Sequence, residues 1–256
     1  MNILRQDEKE VIDSIENLYK TFSCYTRPSM GIIECLDYGP SEDEVIAFSM
    51  PLREIPSEYI NRLEFYDISW NSWGNEPETK YLLPRVFELY ALEVITSKKA
   101  SQAHAFGLIV RYKMLDLYVD RGGFVSKWKQ EESASIHRFF VAMFKYLVAH
   151  PDAIESYVEY MEYIIIVATD MEEFMRIWEG VSGKLKIAQI RCWLSHFVHP
   201  ATHVCRLHWG CDASAASRAE ANLAAVKDRV LTDENILNDI EFFIQEPWCF
   251  LALDRA

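Results

Sequence analysis

Apolar residues recur every three or four positions along most of this chain, and that spacing admits little but α-helix. Between Glu131 and Ala149, Ile136, Phe139, Phe140, Met143, Phe144 and Leu147 fall on one side of a helical wheel. A half-buried strand would need strict alternation instead. The same period opens the chain, where Val11, Ile12, Ile15, Leu18, Tyr19 and Phe22 mark an amphipathic helix over 3–25. Asp7, Glu8, Glu10, Asp13 and Glu16 lie mostly elsewhere on that wheel. With only 9 Gly and 9 Pro in 256 residues, the chain lacks the turn chemistry of a β fold.

Further helices are expected from start and stop signals. One begins at Pro56-Ser57 and runs to about Tyr66. Another covers 80–99, with Pro84 tolerable only near its first turn. A third covers 104–120 and stops at Asp120-Arg121-Gly122-Gly123. Others fall at 152–167, 171–179 behind a cap at Asp170, 184–198, 201–209, 214–230 and 233–245. The exception is 29–50. There, short apolar runs surround Gly39-Pro40 and precede the acidic triplet Glu42-Asp43-Glu44, and the reading is a small β-hairpin or an irregular excursion. The expected fold is all-α: about ten helices in antiparallel pairs, a loose helical-repeat-like bundle without a fixed period. Half of the residues are apolar, enough to give 1–256 a real core as one domain. If the chain divides, Pro151 is the place, giving 1–150 and 151–256.

Charge narrows the function classes. There are 39 acidic and 26 basic side chains, a formal net charge of −13. Such a surface repels phosphates and anionic membranes, which argues against direct nucleic-acid or membrane binding. It attracts a basic partner and speeds the encounter. Acidity also serves solubility alone. The N-terminal stretch has no apolar core of a signal peptide, and the run Tyr163 to Ala168 is too short to span a bilayer. The expected location is cytoplasmic, with the six Cys reduced and mostly buried.

Catalytic signatures are missing. GxGxxG, GxxxxGK(S/T), HExxH and GxSxG do not occur, so no catalytic residue and no cofactor is expected. The adjacent acids Glu131-Glu132 and Glu172-Glu173 diverge on a helix, and they read as solvated first turns that complement the dipole. One stretch stands apart: Cys192, His196, His199, His203, Cys205 and His208 fall within twenty residues. Cys192 and His196, or His196 and His199, are spaced to present zinc or copper ligands on one helix face, and Cys205 and His208 could do the same on the next helix. The other reading places Cys192, Trp193, Phe197, Val204 and Leu207 in the core, with His199 and His203 flanking a junction at Pro200. The spacing matches no recognised zinc module, so no metal is expected. Trp70, Trp73 and Trp128 lie in or beside expected loops, either folded back on the core or serving as interface anchors. As anchors, Trp70 and Trp73 would join Glu42, Asp43, Glu44, Glu76 and Glu78 in a partner-binding surface. The aromatic surplus also suits a homodimer.

The segment Lys80-Tyr81-Leu82-Leu83-Pro84-Arg85-Val86-Phe87-Glu88-Leu89, preceded by Trp70 and Trp73, resembles a family of small bacterial helical proteins. That family carries a Y-F/L-L-P-R-x-x-E-L motif. The likeness is good over 59–90 and thins through 115–147. Some members look like immunity proteins, cytosolic antidotes to toxins that bacteria inject into competitors, including nucleases delivered by type VI secretion. The resemblance therefore implies a protein that neutralises a cognate toxin, and it transfers no catalytic residue. From the residues alone, Pro84, Arg85 and Glu88 form a structural motif. Arg85 and Glu88 share a helical face and pair there or with neighbouring elements, or Arg85 binds an anionic group. Rival readings are a metal-binding regulatory or enzymatic protein built on 192–211, and a helical scaffold.

Overall fold

The computed structural model describes residues 5–27, 42–62, 76–97, 106–107, 109–110, 128–168, 171–181, 221–222 and 224–226. The chain divides into two compact units, Met1–Ser156 and Tyr157–Ala256. Among the described residues every regular element is helical. They are α1 (Gln6–Thr21), α2 (Glu42–Ser49), a 3-10 turn (Leu52–Glu54), α3 (Ser57–Arg62), α4 (Glu76–Ser97), α5 (Gln130–Ala149), a second 3-10 turn (Pro151–Ala153), α6 (Ile154–Val167) and α7 (Glu172–Glu179). The fold is all-α. The expected helices at 184–198, 201–209 and 233–245, and most of 104–120 and 214–230, lie outside the described residues. No helix of the described residues is long and apolar enough to cross a membrane.

Two expectations are corrected. Residues 42–49 form α2, not part of a hairpin. Glu42 and Asp43 stand in its first turn, where carboxylates complement the helix dipole, and Ala47 and Phe48 are buried. Residues 28–41 lie outside the described set. Pro84 is not near a helix start: α4 begins at Glu76, so the proline lies within it. It removes the backbone hydrogen bond that the Lys80 carbonyl would otherwise accept. The remaining hydrogen bonds of this 22-residue helix and its buried apolar stripe outweigh that loss.

In the first unit, α1 lies antiparallel to α5. Tyr25, Asn17, Glu10 and Asp7 meet Glu132, Ser135, Lys145 and His150 in turn. It runs antiparallel to α4 too, since Tyr19 meets Glu88 and Tyr25 lies over Lys80. Hence α4 and α5 are parallel. The apolar stripe of α1 — Val11, Ile15, Leu18 and Phe22 — is buried. Each such side chain contributes about 1.5–3 kcal/mol on burial. The six apolar residues expected to face the core from α5 are all buried. Phe87 of α4 is the hub, with ring centroids 4.7 Å from Phe139, 4.9 Å from Phe106 and 6.0 Å from Phe140.

In the second unit, Tyr157, Tyr160, Met161, Tyr163, Ile164 and Ile165 of α6 are buried. The end of α6 is capped from far along the chain: Asn222 Nδ2 donates to the carbonyls of Ile165 at 3.0 Å and Ala168 at 2.9 Å. Those are the carbonyls that a helix C-terminus leaves without intrahelical donors. Helix α7 buries Phe174, Met175 and Trp178 and holds an exposed Glu172–Arg176 pair on its outer face.

Candidate functional site

Three groups of polar side chains gather around α1. The first is a buried ion pair. Lys80 Nζ donates to Glu132 Oε2 at 2.8 Å, and both side chains are only 1% exposed. Glu132 is the third residue of α5 and also accepts the Lys129 amide at 3.1 Å, closing the helix start. Its other oxygen accepts the Tyr25 hydroxyl at 2.5 Å. The Lys80 ammonium further lies 4.6 Å from the Trp128 ring centroid and 5.3 Å from that of Tyr25. Burial would raise the Glu132 carboxyl. The hydrogen bonds from Lys80, Tyr25 and the Lys129 amide outweigh it and hold the group below its usual 4.5. Burial and the bond to Glu132 push the Tyr25 hydroxyl up to about 12, so it keeps its proton and donates.

This group corrects one reading of the acid pairs. Glu131 is exposed, as a solvated first-turn acid should be, but Glu132 is buried and paired. Trp128 is folded onto the core rather than presented outward.

The second group contains the motif. Arg85 Nη1 donates to Glu88 Oε2 at 2.6 Å, while its Nη2 and Nε donate to the Ile55 carbonyl at 2.9 and 3.2 Å. Glu88 Oε2 also accepts the Tyr19 hydroxyl at 2.6 Å. Arg53 lies 4.0 Å over the Tyr19 ring and pairs with Glu16 at 2.7 Å. Arg85 therefore clamps the 52–55 turn onto α4. Pro84 beside it is buried.

The third group joins helix ends. His150 closes α5, its ring 4.0 Å from that of Tyr146 and its Nε2 2.8 Å from Asp7 Oδ2. Asp7 Oδ1 accepts the Glu8 amide at 3.1 Å. Burial works to raise the Asp7 carboxyl, but the bonds from His150 and the local amides prevail and lower it from 3.8. Both depressed carboxyls act in the same direction. Their contribution to stability is complete above the unfolded values of 3.8 and 4.5 and is lost as pH falls through the lower folded values. Urea unfolding at stepwise pH from 6 to 3 should show stability falling through this window. It should fall less steeply in Asp7→Asn, and equal slopes would remove Asp7 from the account.

The acidic surface is only partly described. Glu42 and Asp43 are exposed on α2. Ile46, three and four residues on, shares their face and is 55% exposed, the more open of the two large apolar side chains exposed among the described residues. Glu54 and Glu58 are exposed nearby in sequence. Ile46 was not singled out from sequence, and an exposed apolar side chain leaves no trace in a run as short as V-I-A-F. The side chains of Glu44, Glu76 and Glu78, and all of Trp70 and Trp73, lie outside the described residues. So do Cys192, His196, His199, His203, Cys205 and His208. Among the described residues no three His, Cys, Asp or Glu side chains are grouped to hold a metal ion. No family model, curated protein or solved structure matches the chain.

Proposed function

We propose that this chain is an immunity protein: it binds a cognate bacterial toxin, a nuclease of the kind delivered by type VI secretion, and blocks it through an acidic surface. The observation that carries the reading is the face of α2, where exposed Glu42 and Asp43 lie one turn before exposed Ile46 on a protein of net charge −13. An exposed apolar side chain beside two carboxylates has the composition of a small interface anchor with part of a polar rim. A nuclease presents a basic groove to its substrate. Carboxylates placed like phosphates occlude that groove and steer the encounter. The toxin acts on a cytoplasmic substrate, so its antidote works in the cytoplasm, without catalysis and without a cofactor.

Co-expression with the product of the adjacent gene tests the proposal. The partner alone should arrest growth, and this chain should restore it. The reading fails if the partner is harmless alone or stays toxic beside this chain. Reversing the two acids in Glu42→Lys/Asp43→Lys should slow association roughly tenfold at low salt, with a smaller effect at high salt. An unchanged association rate would move the interface away from α2.

A further inference from the structure

The Lys80 ammonium occupies a box built by other parts of the chain. Its walls are the Trp128 and Tyr25 rings, and its floor is Glu132 Oε2 at 2.8 Å. Lys80 itself comes from α4, whereas Tyr25 follows α1, Trp128 precedes α5 and Glu132 lies in its first turn. The walls are fastened to one another without the lysine. Tyr25 donates to Glu132, and the Phe22 ring meets Trp128 edge-on at 6.2 Å and Tyr25 at 6.1 Å. Asn17 Nδ2 donates to Ser135 Oγ at 2.6 Å one turn further along the same seam. Bonds among the walls themselves therefore accompany those to the lysine.

We infer that this box is an alkylammonium-binding site whose resident ligand is the chain's own Lys80. A carboxylate with two aromatic faces is the chemistry that recognises an organic cation. The ammonium seated there donates to Glu132 Oε2, which also accepts the Lys129 amide, and lies within reach of the Tyr25 hydroxyl. That geometry suits the point charge of a primary ammonium, not a planar guanidinium. The clamp between α4 and the α1–α5 pair then resides in the ammonium head, and the methylene tether serves to deliver it.

Chemical rescue tests this. Lys80→Ala removes the propylammonium portion of the side chain and should lower Tm by roughly 10 °C. Added n-propylammonium chloride should restore at least half of that shift along a saturable curve. Matched sodium chloride, n-propanol and guanidinium should not, and wild type should not respond. Recovery by n-propanol to the same extent would overturn the inference, because the site would then be only a cavity. Absence of recovery by the amine would overturn it as well. Should Lys80→Ala not fold, amine acetylation of the intact protein provides the second measurement. Lys80 should react far more slowly than exposed Lys20, and Glu132→Gln should accelerate it about tenfold by loosening the box. Acetylation of wild-type Lys80 at the rate of Lys20 would be equally fatal to the idea.

Discussion

Replacing Glu132 by alanine is expected to destabilise the protein by about 3–5 kcal/mol, because it leaves the Lys80 ammonium buried without its counter-charge. The size follows from burial, not from the ion pair as such. An exposed pair is worth at most about 1 kcal/mol. Here each partner is 1% exposed, so water cannot replace what the substitution removes. Two companions sharpen the test. Tyr25→Phe deletes one donor to Glu132 and should cost about 0.5–1.5 kcal/mol. The double variant Lys80→Met/Glu132→Leu removes both charges at similar volume and should lose much less than the two single changes summed. Urea unfolding of wild type, Lys80→Met, Glu132→Leu and the double variant gives the coupling directly. A Glu132→Ala variant costing under about 1 kcal/mol would contradict the burial of this pair.

How far such features are legible from sequence depends on their range. Helix α5 is readable because its apolar residues repeat over about three turns from Ile136 to Leu147, and its bounds fall within one residue of those read from the period. The Arg85–Glu88 contact was readable because both residues belong to one helix, three apart. The Lys80–Glu132 pair joins residues 52 apart, and nothing in a local pattern couples them. One signal did exist. Lys80 heads the buried stripe Leu83, Phe87, Tyr90 and Val94, so a charge stood where the period demanded an apolar residue. A lysine at such a position needs a buried acid, and the neighbour of Glu131 supplies it. Helix α2 was missed for a different reason. Eight residues span barely two turns, too short for a 3.6-residue period to separate from alternation, and Gly39-Pro40 drew the reading toward a turn. The acidic face was legible only as charge. Which acids share a face with an exposed apolar residue is a property of the folded helix.

Phe87→Ala should have an effect of similar size, about 3–5 kcal/mol, through a different cause. Phe87 is fully buried, and its ring contacts Phe106, Phe139 and Phe140 at once. Truncation loses the transfer free energy of the ring and leaves a cavity between α4 and α5. It also loses the tilted and edge-on ring contacts, each worth roughly 0.5–1.5 kcal/mol beyond area. The surrounding rings cannot collapse into the gap, because Phe106 is itself stacked at 4.0 Å on Tyr90 and held from that side. Phe87→Leu keeps most of the volume and should cost under about 1.5–2 kcal/mol. The control lies on the opposite face of the same helix. Leu92 is 40% exposed, and Leu92→Ala should change stability by no more than about 1 kcal/mol. Thermal unfolding of the three variants therefore reads the orientation of α4 directly. A Leu92 variant as damaged as the Phe87 variant would mean that this face of α4 is covered, either by a second copy of the chain or by a partner, and the Tm of the Leu92 variant would then rise with protein concentration.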